Sequence, residues 1–312
     1  MTKIAIVGSG LIGRAWATIF ASHGFEVALH DVVPAAAKAA RVHIGKNLRE
    51  LAGHGLVDDP KASLARIRVA TDLADALKGV ALVQENGPET IEAKKALFAE
   101  MDRLAPKNAI LASSTSFIIA SRFAESLPGR ARCLVAHPVN PPHLVPIVEL
   151  APAPFTDPKV IEKARKIYEK AGQVPILLKK EMPGFVLNRL QAVLLAEAFR
   201  IVDAGVASPQ DVDKTIKDGL GLRWSFMGPF ETIELNAPGG IPDYCARYSA
   251  SLYDMVSQAP PGNPFGPATV EKIMAEWGGA KSTEEVAALS NWRDTRLAAL
   301  QAHKRAAKKK PK

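Results

Sequence analysis

The chain has 312 residues, of which 47% are hydrophobic and 23% charged, with two cysteines and a formal net charge of +8. That is the apolar share of an ordinary globular protein, long enough for one large domain or two smaller ones. Six basic residues (Lys304, Arg305, Lys308, Lys309, Lys310 and Lys312) crowd the last nine positions with no acid among them, and the rest of the chain lies within two charges of neutral. The positive charge therefore marks a basic, disordered tail, residues 304–312, and not a nucleic-acid-binding face. No apolar stretch approaches the ~18 residues of a membrane span. The opening apolar run is too short for a signal sequence, so a cytoplasmic location is expected. Cys133 and Cys245 have neither a CxxC partner nor metal-ligand spacing, and no metal site is expected.

In chain order, Lys3 to Val7 reads as a strand, Leu11 to Ser22 as a helix and Glu26 to His30 as a second strand. A long helical pattern follows from Pro34 to about Gly53. Further strands are expected at Ile67 to Ala70, Val80 to Gln84, Ala109 to Leu111, Cys133 to Ala136 and Val174 to Leu178. Helical patterns separate several of them, notably Ile91 to Leu104 and Lys159 to Ala171. Such alternation predicts an α/β Rossmann-type domain, a mostly parallel sheet with helices on both faces, over residues 1–182. Beyond it the pattern turns helical throughout, beginning with Phe185 to Ala204 and then a helix capped by Ser208-Pro209. Later helices are expected at Asp243 to Val256, Thr269 to Trp277 and Asn291 to His303. Residues 183–303 are thus expected to form an all-α C-terminal domain for substrate binding and dimerisation.

Gly8-Ser9-Gly10-Leu11-Ile12-Gly13 is a G-x-G-x-x-G placed between a strand and a helix, the context that makes it a dinucleotide fingerprint. Gly8 would permit the tight turn, Gly10 the approach of a pyrophosphate, and Gly13 close helix packing; the helix start, at Leu11 and Ile12, favours phosphates. Asp31 ends the second strand, near the position of an acid that bonds the adenosine ribose, and no arginine follows it. NAD is therefore expected in preference to NADP or FAD, the alternative being a glycine turn with no cofactor. His137-Pro138-Val139-Asn140-Pro141-Pro142 follows the Cys133 strand, with Glu149 twelve residues beyond His137. Spacing alone leaves that pair open to being a surface histidine near a structural acid.

The ordered set of motifs is more specific than any one of them: GSGLIG, Gln84-Glu85 through Glu89, SSTSF at 113–117, HPVNPP at 137–142, Glu149, PGFVLNRL at 183–190 and MGPFE at 227–231. From Lys3 to about Leu235 the sequence resembles the 3-hydroxyacyl-CoA dehydrogenase superfamily. Within it, GLGLRW at 219–224 and Tyr244-Cys245-Ala246-Arg247-Tyr248 are similar to the lambda-crystallin branch, which includes L-gulonate 3-dehydrogenase. The resemblance implies a catalytic histidine at His137 with Glu149 as its partner. It also implies substrate-side Ser116 and Asn188, Asn140 beside the nicotinamide, and Glu89 with Lys94 as cofactor contacts. A homodimer is also implied. The substrate would be a small free 3-hydroxy acid; a short 3-hydroxyacyl-CoA is the alternative, and a non-catalytic, crystallin-like structural protein a third reading. Two features lean toward the free acid. The stretch from Gly45 to His54 is only thinly basic for CoA phosphates, and Arg223 is placed to grip a substrate carboxylate.

Overall fold

The computed structural model describes residues 1–260 and 262–307. Its centre is one eight-stranded sheet: β1 (Lys3–Val7), β2 (Glu26–His30), β3 (Ile67–Val69), β4 (Leu82–Glu85), β5 (Ile110–Ser113), β6 (Cys133–Pro138), β7 (Ile147–Pro152) and β8 (Val174–Leu177). The spatial order is β3-β2-β1-β4-β5-β6-β7-β8. The first six strands are parallel, in the order of a dinucleotide-binding sheet. β7 then runs antiparallel to β6, and β8 parallel to β7.

The side-chain period of two explains how both faces are covered. Ile4 and Ile6 of β1 enter one buried cluster with Trp16, Phe20, Leu29, Ile44 and Tyr168, whereas Ala5 and Val7 enter another with Phe98, Met101, Leu111 and Phe123. The covering helices are α1 (Leu11–Ser22), α2 (Pro34–Gly53), α3 (Pro60–Ala65), α4 (Leu73–Leu77), α5 (Ile91–Leu104), α6 (Ser121–Ala124) and α7 (Pro158–Lys170). α3, α4, α5 and α7 each begin on a side-chain cap, from Asp59, Asp72, Thr90 and Asp157.

After β8 come α8 (Leu187–Asp203), α9 (Pro209–Lys214), a π-helical stretch Thr215–Leu220, α10 (Gly221–Trp224), α11 (Pro229–Glu234), α12 (Gly240–Ser257), α13 (Pro267–Trp277) and α14 (Thr283–Ala306). The chain divides into two compact units. One holds Met1–Asn188 and the segment from Val286 onward, the other Arg189–Glu285.

This division differs from the expected 183–303 domain at its far end. Most of α14 belongs with the sheet, because Ala298 is buried in the Ile4 cluster and Leu297 packs against it. The basic segment also differs from a free tail where it is described: Lys304 and Arg305 continue α14, and Arg305 Nη1 donates to the Leu56 carbonyl at 3.0 Å. Residues 308–312 of the expected tail lie outside the described residues. Among the described residues no helix is long and apolar enough to cross a membrane.

Candidate active site

The carboxyl ends of β1, β4, β5 and β6 open into four loops, which carry Gly8 and Gly10, Glu89, Ser116 and Asn140, at the end of the sheet where open α/β folds place their ligands. At the end of β1, Gly8 takes φ +92°, and a Cβ there would meet the Asn86 carbonyl at 2.5 Å. A Cβ on Gly13 would lie 1.9 Å from the Gly8 carbonyl, so only glycine lets α1 sit this close to β1. A Cβ on Gly10 would meet no protein atom within 4 Å, which leaves this backbone open to an incoming group. Gly10 is also the N-cap of α1 and offers no capping side chain. The first amides, at Leu11 and Ile12, have no intrahelical acceptor and are free for an anion.

Asp31 closes the loop from the other side. Its Oδ2 accepts from the Ser9 amide at 2.8 Å and the Ser9 hydroxyl at 2.7 Å, and its Oδ1 accepts from the Val33 amide at 3.0 Å. Burial alone would raise the carboxyl pKa, but those three donors outweigh it and hold Asp31 below its ordinary value. A carboxylate fixed at the end of β2 beside an open helix N-terminus fits the adenosine ribose of NAD and repels a 2′-phosphate. Asp31→Ala should raise KM for NAD about 10-fold or more, the scale of a lost charged hydrogen bond. It should also improve NADP use relative to NAD. Steady-state kinetics with both cofactors check this, and equal use of the two by the wild type would remove Asp31 from cofactor selection.

At the end of β4 a chain of bonded groups leads to Ser116. Glu89 accepts from the Thr115 hydroxyl, from the Ser116 amide at 2.9 Å and from the Phe117 amide at 3.2 Å. Burial raises the Glu89 pKa, and the Thr115 hydroxyl, the Lys94 ammonium and the two amides together bring it below the usual range. Lys94 stands 3.5 Å from Glu89 Oε2 and 3.1 Å from Glu85 Oε2. Its side chain is 1% exposed. Lys94 is thus held between the two glutamates behind the loop. Glu85 is also held by the Ser113 hydroxyl and the Gly87 amide. Glu85, Ser113 and Thr115 had no place among the expected site residues, although the first lies in the Gln84-Glu85 motif and the others in SSTSF. Next to them Ser114 Oγ accepts from Trp16 Nε1 and Gln84 Nε2, and that Gln84 amide also reaches the Ala136 carbonyl, one residue before His137.

The antiparallel register of β6 and β7 sets His137 directly opposite Glu149. His137 Nδ1 lies 2.9 Å from Glu149 Oε2, and both side chains are almost fully buried. The ring's other nitrogen, Nε2, has no hydrogen bond among the described residues. The other carboxylate oxygen, Oε1, accepts from the amides of Val186 at 2.8 Å and Leu187 at 3.0 Å, at the start of α8. Burial would raise the Glu149 pKa, but the His137 ring and these two amides lower it below the ordinary glutamate value.

The convergence of these amides depends on Phe185, which the helical pattern had placed inside α8. It adopts φ +50° instead, ahead of the helix. Its ring is fully buried, with its centroid 5.3 Å from that of the His137 imidazole. A left-handed phenylalanine costs about 1–2 kcal/mol, which burial of the ring offsets. The sequence signal for this turn was Pro183-Gly184 immediately before it.

Asn188 Nδ2 donates to the Ser116 carbonyl at 2.9 Å, tying the α8 start to the loop after β5. The Ser116 hydroxyl has no hydrogen bond among the described residues. His137, Glu149, Asn188, Ser116 and Glu89 are thus brought into two bonded sets whose segments meet at 186–188. Asn140 is exposed in the loop after β6, preceding a cis Pro141. Arg223 lies in α10 of the second unit, exposed, and its side chain has no hydrogen bond or ion pair among the described residues. No cluster of metal-ligating side chains occurs among the described residues.

Residues 3–182 match the family model of the 3-hydroxyacyl-CoA dehydrogenase NAD-binding domain, and residues 184–288 match that of its C-terminal domain. Lambda-crystallin of Oryctolagus cuniculus is 40% identical over 308 residues, which cover 97% of this chain and 96% of the relative. L-carnitine dehydrogenase of Pseudomonas putida is 35% identical over 306 residues, covering 96% and 93%. Among solved structures, that of a 5-formyl-3-hydroxy-2-methylpyridine 4-carboxylic acid 5-dehydrogenase, an NAD+-dependent dismutase, is similar with a TM-score of 0.84. It is 29% identical, with 96% of this chain and 98% of that one covered. With a glycine loop, an acid at the end of β2 and a buried histidine–glutamate pair in the positions that these matches span, the chain belongs to the 3-hydroxyacyl-CoA dehydrogenase family and is an NAD-dependent oxidoreductase acting on a CH–OH group.

Proposed function

We propose that the protein oxidises the 3-hydroxyl of a small free 3-hydroxy acid, in the manner of L-gulonate 3-dehydrogenase, with His137 as the general base. The observation that carries this reading is the His137 ring, held through Nδ1 by Glu149 with Nε2 left for a substrate hydroxyl. Oxidation of a secondary alcohol removes a proton from oxygen while hydride leaves carbon, and NAD, when bound, supplies the hydride acceptor. Nε2 takes the hydroxyl proton, and the Glu149 carboxylate stabilises the imidazolium that results. The free Ser116 hydroxyl donates to the substrate oxygen as its charge changes. Asn188 holds the Ser116 segment and completes the substrate side, and Asn140 lies beside the nicotinamide. Gly8, Gly10, Leu11, Ile12, Gly13 and Asp31 bind the cofactor, together with Glu89 and Lys94.

Two relatives act, by their names, on free acids, and carnitine is itself a 3-hydroxy carboxylate. The acyl-CoA reading keeps the support of the family's own description. Arg223 discriminates between the two. A salt bridge to a neighbouring acid would have been the ordinary use for it, and no such bridge exists among the described residues. In this reading its guanidinium grips the substrate carboxylate. An activity screen with NAD should therefore favour free 3-hydroxy acids and sugar acids over 3-hydroxyacyl-CoAs. Arg223→Met should raise KM for the acids about 30-fold or more, the loss expected of a partly buried charged contact, and spare uncharged esters. Preference of the wild type for acyl-CoA, or equal loss on acid and ester, would transfer the assignment to the acyl-CoA reading.

The assembly belongs to the same reading. In the second unit Leu190, Val193, Trp224, Phe226, Phe230 and Val256 are all exposed. A homodimer covers these side chains and removes their apolar surface from water.

A further inference from the structure

The first unit contains a cavity of about 470 Å³ at the C-terminal end of α1, the end opposite the glycine loop. A helix of this length separates the two by about 18 Å. Its apolar wall comes from Ile19, Leu51, Leu56, Val57, Leu144 and Val174. Its charged lining is of one sign. Lys304 and Arg305 face it, and no carboxylate does among the described residues; His23 and His143 line it as well, and burial holds both imidazoles below the ordinary histidine pKa, so they enter as neutral rings. In a chain whose body is near neutral, that asymmetry singles the cavity out.

Two of these side chains are held in place by backbone carbonyls of the wall itself. His23 Nδ1 lies 2.9 Å from the Ile19 carbonyl, which leaves Nε2 uncommitted. Gly172 makes room for that ring, since a Cβ there would stand 2.4 Å from Nε2. Arg305 is fastened by its bond to the Leu56 carbonyl. Two buried polar atoms of the lining have no hydrogen-bond partner: Oε1 of Gln173, a residue only 8% exposed, and Nδ1 of His143. An unpaired buried polar atom costs about 1–3 kcal/mol, which a ligand able to pair with it removes. Neither group has a part in the chemistry assigned to His137.

We propose that this cavity is a second small-molecule site, for an amphipathic carboxylate that bears a hydroxyl on a short apolar chain. The chain lies on the Ile19 and Leu56 wall, the carboxylate meets Lys304 and Arg305, and the hydroxyl donates to Gln173 Oε1. Both the size and the mixture of an apolar wall with few polar groups suit a ligand of that class. The cavity wall also includes residues 143–147, within the segment that joins His137 to Glu149.

Calorimetric titration of the full-length protein with octanoate, which has no hydroxyl to oxidise, tests the site apart from turnover. Octanoate should bind saturably, and acetate and 1-octanol, each lacking half of the recognised chemistry, at least 10-fold more weakly. The double variant Lys304→Glu/Arg305→Glu, altered only at exposed positions, should weaken octanoate at least 10-fold while leaving NAD affinity and kcat unchanged. 3-Hydroxyoctanoate, titrated into His137→Gln without NAD, should bind more tightly than octanoate, and Gln173→Leu in that background should erase the difference. Val174→Trp, which fills the cavity from an exposed position, gives a second route to loss of binding. Absence of saturable octanoate binding up to 10 mM, or binding that survives both the charge reversal and Val174→Trp, would overturn the proposal.

Discussion

Replacing His137 with alanine is expected to lower kcat by roughly 100-fold or more, the scale of a lost general base, with NAD affinity almost unchanged. The imidazole touches none of the groups that form the glycine loop or hold Asp31. Its bonded partner is Glu149 and its ring neighbour is Phe185. The effect should therefore fall on turnover and not on cofactor binding. Single-turnover NADH formation, together with a direct titration of NAD, separates the two. His137→Gln, closer in size and still able to accept one hydrogen bond, should fold like the wild type and remain slow. Near-normal turnover in either variant would take His137 out of the proton transfer.

Glu149→Ala should be the most costly substitution in the site, because one carboxylate serves three donors from two segments. Its removal leaves the Val186 and Leu187 amides and the His137 ring without their acceptor. Loss of a buried, multiply bonded carboxylate costs on the order of 3 kcal/mol, and kcat should fall along with stability. Glu149→Gln separates these effects. It retains an acceptor for the amides of α8 but has no charge to stabilise an imidazolium, so most of the stability should return and the slow turnover should not.

Thermal melts at neutral pH and pH–rate profiles of the two variants read the difference. The wild type adds a further test in acid. Because the Glu149 carboxyl is held below its ordinary value of about 4.5 in the fold, it contributes stability that is fully present above that value. The contribution is lost as pH falls through the lowered value. Asp31 and Glu89 are depressed in the same direction and add to this acid-side loss. Glu149→Gln should accordingly melt with a shallower dependence on pH below 4.5 than the wild type. Identical acid slopes would mean that Glu149 carries no such linkage.

The parallel sheet was legible because buried strands and their covering helices differ in period and length. The Lys3, Glu26 and Ile91 elements begin and end within a residue of where their patterns do. β7 was not legible. Ile147–Pro152 carries a glutamate in the middle of an otherwise apolar run, which reads neither as alternation nor as an unbroken buried strand. The same glutamate is the reason the strand matters. Phe185 was misplaced for a related reason: its helical spacing continues that of α8, whereas the turn begun at Pro183-Gly184 runs on through it and buries its ring against His137.

By itself the sequence determined the dinucleotide loop, the acid at the end of β2 and the family. Each depends on contacts close along the chain or on motifs in order. Tertiary structure decided the rest. The register of β6 on β7 converts a twelve-residue spacing, which carries no geometry of its own, into a 2.9 Å contact. Long-range packing returns α14 to the sheet domain. A helical period shows which face of α14 is apolar; which core that face covers is settled only when the whole chain has folded.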